Sequence, residues 1–434
     1  MRVVSVELSL NMYAQITFIA VVLSCHMAIC ALEQQVLKFL ETQHVLESPG
    51  AQSEQVSASP VFPGFRSGEP DLSTGFVAFG DSYSAGIGTG VEGQEDACRR
   101  GIHAYAQLIA ADHGPMAFQF LSCTGATTSN VMTGGEESQI DLFNTSLPAD
   151  FALLSIGGND LGFFEVINSC VFRFYNFYSG TCETALAHSR VLLESEDFEI
   201  RLRIVIMEIL DKIRWEKKPQ FTITMTGYAR FFNELTDECN DMSFGVWWNG
   251  PKLTKRLRSE MNALVLTVNA KLRKTINAIN AGFTQDKVIF IDYDAAFDGH
   301  RFCEPNVTEP DYERADTWFF LVGGSDNAGN GTESDQISDA KALSPASPLV
   351  DPLSCLAPAR RSGDWGLLAL CYMAMAKHRD PSLRPAREDA SALNSMWYVP
   401  TYYGKTFHPR TLGHETIRRK IYEAWDLGNK GSPI

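Results

Sequence analysis

The chain has 434 residues, 45% of them hydrophobic and 11% aromatic, which is enough apolar material for one large α/β domain carrying insertions. Its 52 acidic and 37 basic residues give a formal net charge of -15, which argues against a nucleic-acid partner, since a phosphate backbone is met by a basic surface. It contains no CxxC pair, Walker loop, His-Glu-x-x-His or Gly-x-Ser-x-Gly elbow, so zinc ribbons, P-loop enzymes, zincins and ordinary α/β-hydrolases lose their sequence support.

The N-terminus holds an apolar run over 16–24, too short to span a bilayer, followed by Ala28, Cys30 and Ala31. That pattern predicts a secretory signal over 1–31, cleaved near Cys30 or Ala31. Residues 32–72 are polar and mixed and read as a poorly ordered leader, so the domain is expected to run from 73 to 434. Continuous apolar runs predict strands over 76–79, 117–121, 151–156, 221–225 and 288–292. Helical spacing predicts helices over 103–111, 161–174, 196–217, 253–281 and 411–427. Strands alternating with helices give an α/β fold, a parallel sheet of about five strands flanked by helices on both faces. Residues 299–398 break the rhythm with Gly- and Pro-rich runs and read as a loop-rich insertion near the active face, with one helix over 365–375.

Of the ten cysteines, Cys25 and Cys30 fall in the signal, which leaves Cys98, Cys123, Cys170, Cys182, Cys239, Cys303, Cys355 and Cys371. An even number in an exported chain predicts disulfides, although spacing alone leaves the pairing open. Sequons at Asn144, Asn306 and Asn330 fit a glycosylated, secreted protein.

Four polar positions follow predicted strands or sit near the C-terminus. Ser82 ends the run Phe76-Val77-Ala78-Phe79-Gly80-Asp81, Gly125 lies after strand two, Asn159 lies within Gly157-Gly158-Asn159-Asp160, and His408 comes late. In an open parallel sheet, the loops after the strands line one crevice, so these four have a route to one another. Singly, each has a plainer reading. A serine after a strand is usually a turn residue or helix cap, and a histidine before proline is usually a surface group. Asp81 and Asp160 are expected to shape their turns, His414 to be structural, and His103 and His113 to have no role; Trp247 and Trp248 fit either a substrate platform or the core.

Taken in order, Gly80-Asp81-Ser82, Gly125, Gly157-Gly158-Asn159-Asp160 and His408 resemble the SGNH hydrolases, also called GDSL esterases and lipases. The resemblance spans roughly 76–417, and the blocks 226–232 and 292–297 look like its secreted microbial branch, fungal members in particular. It implies a flavodoxin-like three-layer sandwich and a serine ester hydrolase without metal or organic cofactor. Ser82 would be the nucleophile, His408 the general base, and the N–H of Ser82, the N–H of Gly125 and the Asn159 amide the oxyanion donors. The family usually places an Asp three residues before the histidine, and here that position is Lys405. The resemblance then implies a Ser–His dyad oriented by the Lys405 backbone carbonyl, as in some secreted relatives, with Asp292 and Asp294 as alternatives.

In such relatives a disulfide joins the loops after strands one and two, which pairs Cys98 with Cys123. Nearness in sequence then gives Cys170–Cys182 and Cys355–Cys371, leaving Cys239–Cys303. The expected substrate is a small-molecule or lipid ester, met by a secreted monomer with no stable membrane insertion. Two other readings remain: a polysaccharide O-acetyl esterase, and a catalytically silent member that binds lipid or carbohydrate.

Overall fold

The computed structural model describes residues 74–90, 96–135, 137–172, 181–245, 250–327, 353–362, 371, 374–375, 378–379 and 401–430. The expected signal and leader, Asn330, Trp247, Trp248 and most of 363–400 lie outside them. The described residues belong to one compact unit, Ala58–Ile434.

The apolar run after residue 74 becomes β1 (Gly75–Gly80), with all six residues buried. It is followed by a one-turn helix α1 (Ser82–Ala85), α2 (Tyr105–His113) and β2 (Ala117–Phe120). Two further short helices, α3 (Thr128–Val131) and α4 (Gln139–Leu142), lead to β3 (Phe151–Ser155) and α5 (Phe163–Ile167). Then come α6 (Cys182–Glu194), α7 (Asp197–Ile213), β4 (Thr222–Thr226), α8 (Lys255–Asn280) and β5 (Val288–Ile291). Past these lie α9 (Leu356–Ser362), α10 (Thr401–Gly404) and α11 (Thr411–Lys430).

The five strands form one parallel sheet in the order β2-β1-β3-β4-β5. A sheet buried on both faces needs strands that are apolar throughout, which is why β1 and β3 read as continuous runs instead of alternating ones. Phe76 on β1 pairs with Phe118 on β2 and Phe151 on β3, and its ring stacks on theirs at 4.5 Å and 4.8 Å. These aromatic pairs lock the register of the three strands. In this strand order the connections leave β1 and β3 towards opposite edges of the sheet. The crevice at their carboxyl ends is where such folds bind ligands.

Helix α8 is the principal cover on one face. Thr254 caps it by accepting from the Leu257 N–H, and Met261, Leu264, Val265, Val268, Leu272, Ile276 and Ile279 give it a buried stripe at three- and four-residue spacing. Each such side chain, fully buried, contributes about 1.5–3 kcal/mol. Helix α11 packs Ile417, Ile421 and Trp425 inward, with the Trp425 indole donating to Thr224 Oγ1 on β4 at 3.0 Å.

Two features differ from the sequence expectation. Helix α6 had no predicted counterpart; its buried stripe is narrow and includes a polar Ser189, whose hydroxyl donates to the Leu161 carbonyl. The stretch expected to open a loop-rich insertion is in part core. Phe302, Phe319 and Phe320 are buried, and Phe319 bridges Pro409 in antiparallel fashion. The eight cysteines pair as Cys98–Cys123, Cys170–Cys182, Cys239–Cys303 and Cys355–Cys371.

Candidate active site

Strand β1 ends at Gly80, whose φ of +138° and close approach to β3 leave no room for a side chain; a Cβ there would sit 2.2 Å from the Ser155 carbonyl oxygen. The Gln139 side chain grips this peptide from both sides, accepting from the Gly80 N–H at 2.8 Å and donating to its carbonyl at 2.9 Å. Asp81 then donates its N–H to the Ser155 carbonyl at 2.9 Å and caps α1, with Oδ1 accepting from the Tyr83 N–H at 3.0 Å. Ser82 is therefore the first helical residue after a strand end held in three directions, and it is 5% exposed.

His408 Nε2 stands 2.6 Å from Ser82 Oγ. Its Nδ1 lies 3.2 Å from the Thr406 carbonyl oxygen, which only accepts, so Nδ1 carries the proton and Nε2 presents a lone pair to the serine. The Thr406 carbonyl thus joins the expected Lys405 carbonyl beside the ring. The Lys405 carbonyl takes the His408 backbone N–H at 2.9 Å and also favours the protonated ring. The reason is Phe407, which adopts φ +67° and reverses the chain between Thr406 and His408. For a bulky residue that conformation costs of order 1–3 kcal/mol. It is held by the Phe407 N–H donating to the Phe320 carbonyl (2.9 Å) and by the Tyr83 hydroxyl donating to the Phe407 carbonyl (2.7 Å). The Phe407 ring also lies 5.0 Å from those of Phe231 and Phe302 and 5.5 Å from that of Phe232.

Burial lowers the His408 imidazole from 6.5 to about 4, against the pull of the two carbonyls. A neutral carbonyl supports the imidazolium less than a carboxylate does, which is consistent with that direction. Asp292 and Asp294, the alternative acids, are engaged elsewhere, with Arg273 and with Arg230 and Arg301.

The Asn159 side-chain amide donates to the Ala126 carbonyl at 2.9 Å, fixing it against the turn that contains Gly125. Gly125 is buried with φ +87°, and the neighbouring Cys123 is tied to Cys98. Asp160 fastens the same two loops, its carboxylate accepting from the Thr128 N–H at 3.0 Å and from the Thr128 hydroxyl at 2.5 Å. Asp160 and Asp81 therefore shape turns; burial raises both carboxyls, that of Asp81 to about 7. His414 is wholly buried and accepts from the Tyr105 N–H at 3.3 Å. His103 lies 3.0 Å from Thr411 Oγ1.

Ser82, Asn159 and His408 open onto a pocket whose walls include Leu161, Phe163, Phe164, Ile167, Val265 and Val268. Gly404, Thr406, Tyr83 and Tyr228 also line it. Tyr83, Tyr228, Gln139 and Thr406 had no assigned role from sequence. For Tyr228 a signal was present, since it follows β4 at a strand end as Ser82 and Asn159 do. No group of three or more His, Cys, Asp or Glu suited to a metal ion occurs among the described residues, and no described helix is long and apolar enough to cross a membrane.

The chain is similar to several known lipases. Lipase 1 of Streptomyces coelicolor is 30% identical over 237 residues, covering 54% of this chain and 75% of that protein. A lipase of Streptomyces rimosus is 28% identical over 231 residues, 53% of this chain and 74% of its own. Among solved structures, phospholipase A1 from Streptomyces albidoflavus is 28% identical with a TM-score of 0.42, over 58% of this chain and 88% of that one. The sequence profile of the GDSL-like lipase/acylhydrolase family matches residues 78–312, a span that contains Ser82, Gly125 and Asn159 and ends before His408. The chain belongs to the GDSL-like lipase/acylhydrolase family and is an ester hydrolase.

Proposed function

We propose that the protein is a secreted hydrolase of carboxylic esters with an apolar acyl chain, working through a Ser82–His408 dyad and an acyl-enzyme on Ser82. The observation that carries this reading is the 2.6 Å approach of His408 Nε2 to Ser82 Oγ at the mouth of an apolar pocket. His408 takes the Ser82 hydroxyl proton as Oγ attacks the ester carbonyl carbon. The carbonyl π electrons move to oxygen, and the N–H groups of Ser82 and Gly125 with the Asn159 amide receive that oxyanion. Each such donor typically contributes about 2.7–4 kcal/mol of transition-state stabilisation. Collapse breaks the C–O bond to the alcohol, which leaves with the proton from His408. Water then repeats the sequence and releases the acid.

The Thr406 carbonyl holds the imidazole in the tautomer this needs, the part a carboxylate plays in the usual triad. The pocket walls favour an acyl chain over acetate, since each methylene buried there contributes about 0.8 kcal/mol. Export is supported by the N-terminal apolar run and by the four disulfides. Asn144 and Asn306 are exposed, as glycosylation requires.

The test is hydrolysis of p-nitrophenyl esters from acetate to palmitate by wild type and Ser82→Ala. The expected result is a preference for chains longer than acetate and loss of activity in the variant. A strict preference for acetate would favour the O-acetyl esterase reading. Equal activity in both proteins would remove Ser82 from the mechanism.

A further inference from the structure

Two buried tyrosines tie together the turns that carry Ser82, Asn159 and His408. Tyr228 stands just after β4, its backbone fixed to α8 by Asn269, which accepts from the Tyr228 N–H at 2.9 Å and donates to its carbonyl at 2.8 Å. From this mount the Tyr228 hydroxyl donates to Asp81 Oδ2 at 2.9 Å and accepts from the Gly158 N–H at 3.1 Å. The edge of one ring meets the face of the other, Tyr228 against Tyr83, at 5.1 Å and 78°. The Tyr83 hydroxyl donates to the Phe407 carbonyl at 2.7 Å, and the Tyr83 ring lies 4.9 Å from that of His408.

The anchored groups form a pattern. Asp81 precedes Ser82, Gly158 precedes Asn159, and Phe407 precedes His408. Ser82, Asn159 and His408 thus each have their N-terminal neighbour pinned by one of two phenols. The Gly158 N–H is engaged by Tyr228, and Asn159 lines the pocket beside it. A phenol is a stiff spacer with two χ angles, so a hydroxyl that donates to one turn and accepts from another fixes the gap between them. A misplacement of about 1 Å between reacting groups costs on the order of 10²-fold in rate.

We propose that Tyr228 is a positioning residue: its hydroxyl sets the spacing between the Ser82 turn and the Asn159 turn, as Tyr83 sets that between the Ser82 and His408 turns. The proposal rests on the reading of Ser82, Asn159 and His408 given above. Tyr228→Phe keeps the ring, and with it the pocket wall, and removes both hydrogen bonds. The mechanism requires its cost to fall on kcat and to run partly through Asn159.

The experiment measures kcat and KM with p-nitrophenyl butyrate for wild type, Ser82→Ala, Tyr228→Phe, Tyr83→Phe, Asn159→Ala and the Tyr228→Phe/Asn159→Ala pair. Tyr228→Phe and Tyr83→Phe are expected to lower kcat ten- to a hundredfold with KM within about twofold. In the Asn159→Ala background, Tyr228→Phe is expected to cost less than about threefold, the non-additivity of residues that act as a unit. A loss confined to stability or to KM would overturn the proposal, as would losses that multiply in the pair. Should Tyr228→Phe not fold, Asp81→Ala removes the acceptor of the same bridge, together with the cap on Tyr83; a loss of kcat is again expected, and an unchanged kcat contradicts the proposal. Loss of activity in Ser82→Ala with a normal Tyr228→Phe sinks this inference alone. Full activity in Ser82→Ala sinks the underlying reading as well.

Discussion

The turns that present Ser82 and His408 meet at 2.6 Å but are built in opposite ways. The serine turn is made from its own strand. Gly80 closes against Ser155 of the adjacent strand, Asp81 caps the helix it starts, and Gln139 grips the peptide before it. The histidine turn has no sheet beneath it. It leans on the 318–320 segment, where the Phe320 N–H donates to the His408 carbonyl at 3.0 Å and the Arg410 N–H donates to the Trp318 carbonyl at 2.8 Å. Its reversal depends on a positive-φ phenylalanine clamped among other aromatic rings. The serine turn continues a sheet strand and carries its own cap; the histidine turn lies outside the sheet and is strained at Phe407.

The sharpest break of the comparison is His408→Ala. It removes the base while leaving the serine turn intact, and kcat is expected to fall by on the order of 10⁶-fold, as for Ser–His units generally. Unimpaired turnover would mean that another group takes the serine proton. Next is Phe407→Gly, which relieves the positive φ but deletes a ring from the aromatic cluster. The ring is worth about 3–5 kcal/mol, offset by about 1–3 kcal/mol of relieved strain. Chemical denaturation should show a net loss of roughly 2 kcal/mol; a stabilised protein would show that the turn's strain outweighs its packing.

Gln139→Leu tests the serine side. It leaves the buried Gly80 N–H without the Gln139 acceptor, at a cost of about 1–3 kcal/mol. The expected signature is lower stability with an altered kcat, because this peptide leads straight into the Asp81–Ser82 turn. A loss of stability with kcat untouched would show that the turn keeps its shape without that grip.

The smallest effect is in pH dependence. His408 must be neutral to act as base, and burial lowers it to about 4, so the acid limb of kcat/KM is expected well below 6.5, with little change from pH 6.5 to 5. Burial raises the Asp81 carboxyl to about 7, so a limb near 7 would instead place control at Asp81.

What the sequence made legible follows the same division. Strand β1, the Gly80-Asp81-Ser82 turn and the Gly157–Asp160 turn are specified by neighbours in the chain: a continuous apolar run, glycines where strands approach, a capping aspartate. The Thr406 carbonyl beside His408 was not legible next to that of Lys405, because its approach depends on the reversal at Phe407, and no local pattern announces a phenylalanine at φ +67°. Residues 302–320 looked like insertion because their buried aromatics follow neither a helical nor a strand period; they are core through contacts with Phe231, Phe232 and Phe407. The Tyr228 bridge was hidden for the same reason, since its partners are Asp81 and Gly158 in two other loops.

The central claim is that Ser82, activated by His408, forms the covalent intermediate. Its most direct test is labelling with a p-nitrophenyl alkylphosphonate, which leaves a stable adduct where the acyl group would sit, followed by peptide mass spectrometry. One adduct per chain is expected, on Ser82, formed orders of magnitude more slowly in His408→Ala. An inactivating adduct on any other residue, or full activity with Ser82 labelled, would contradict it.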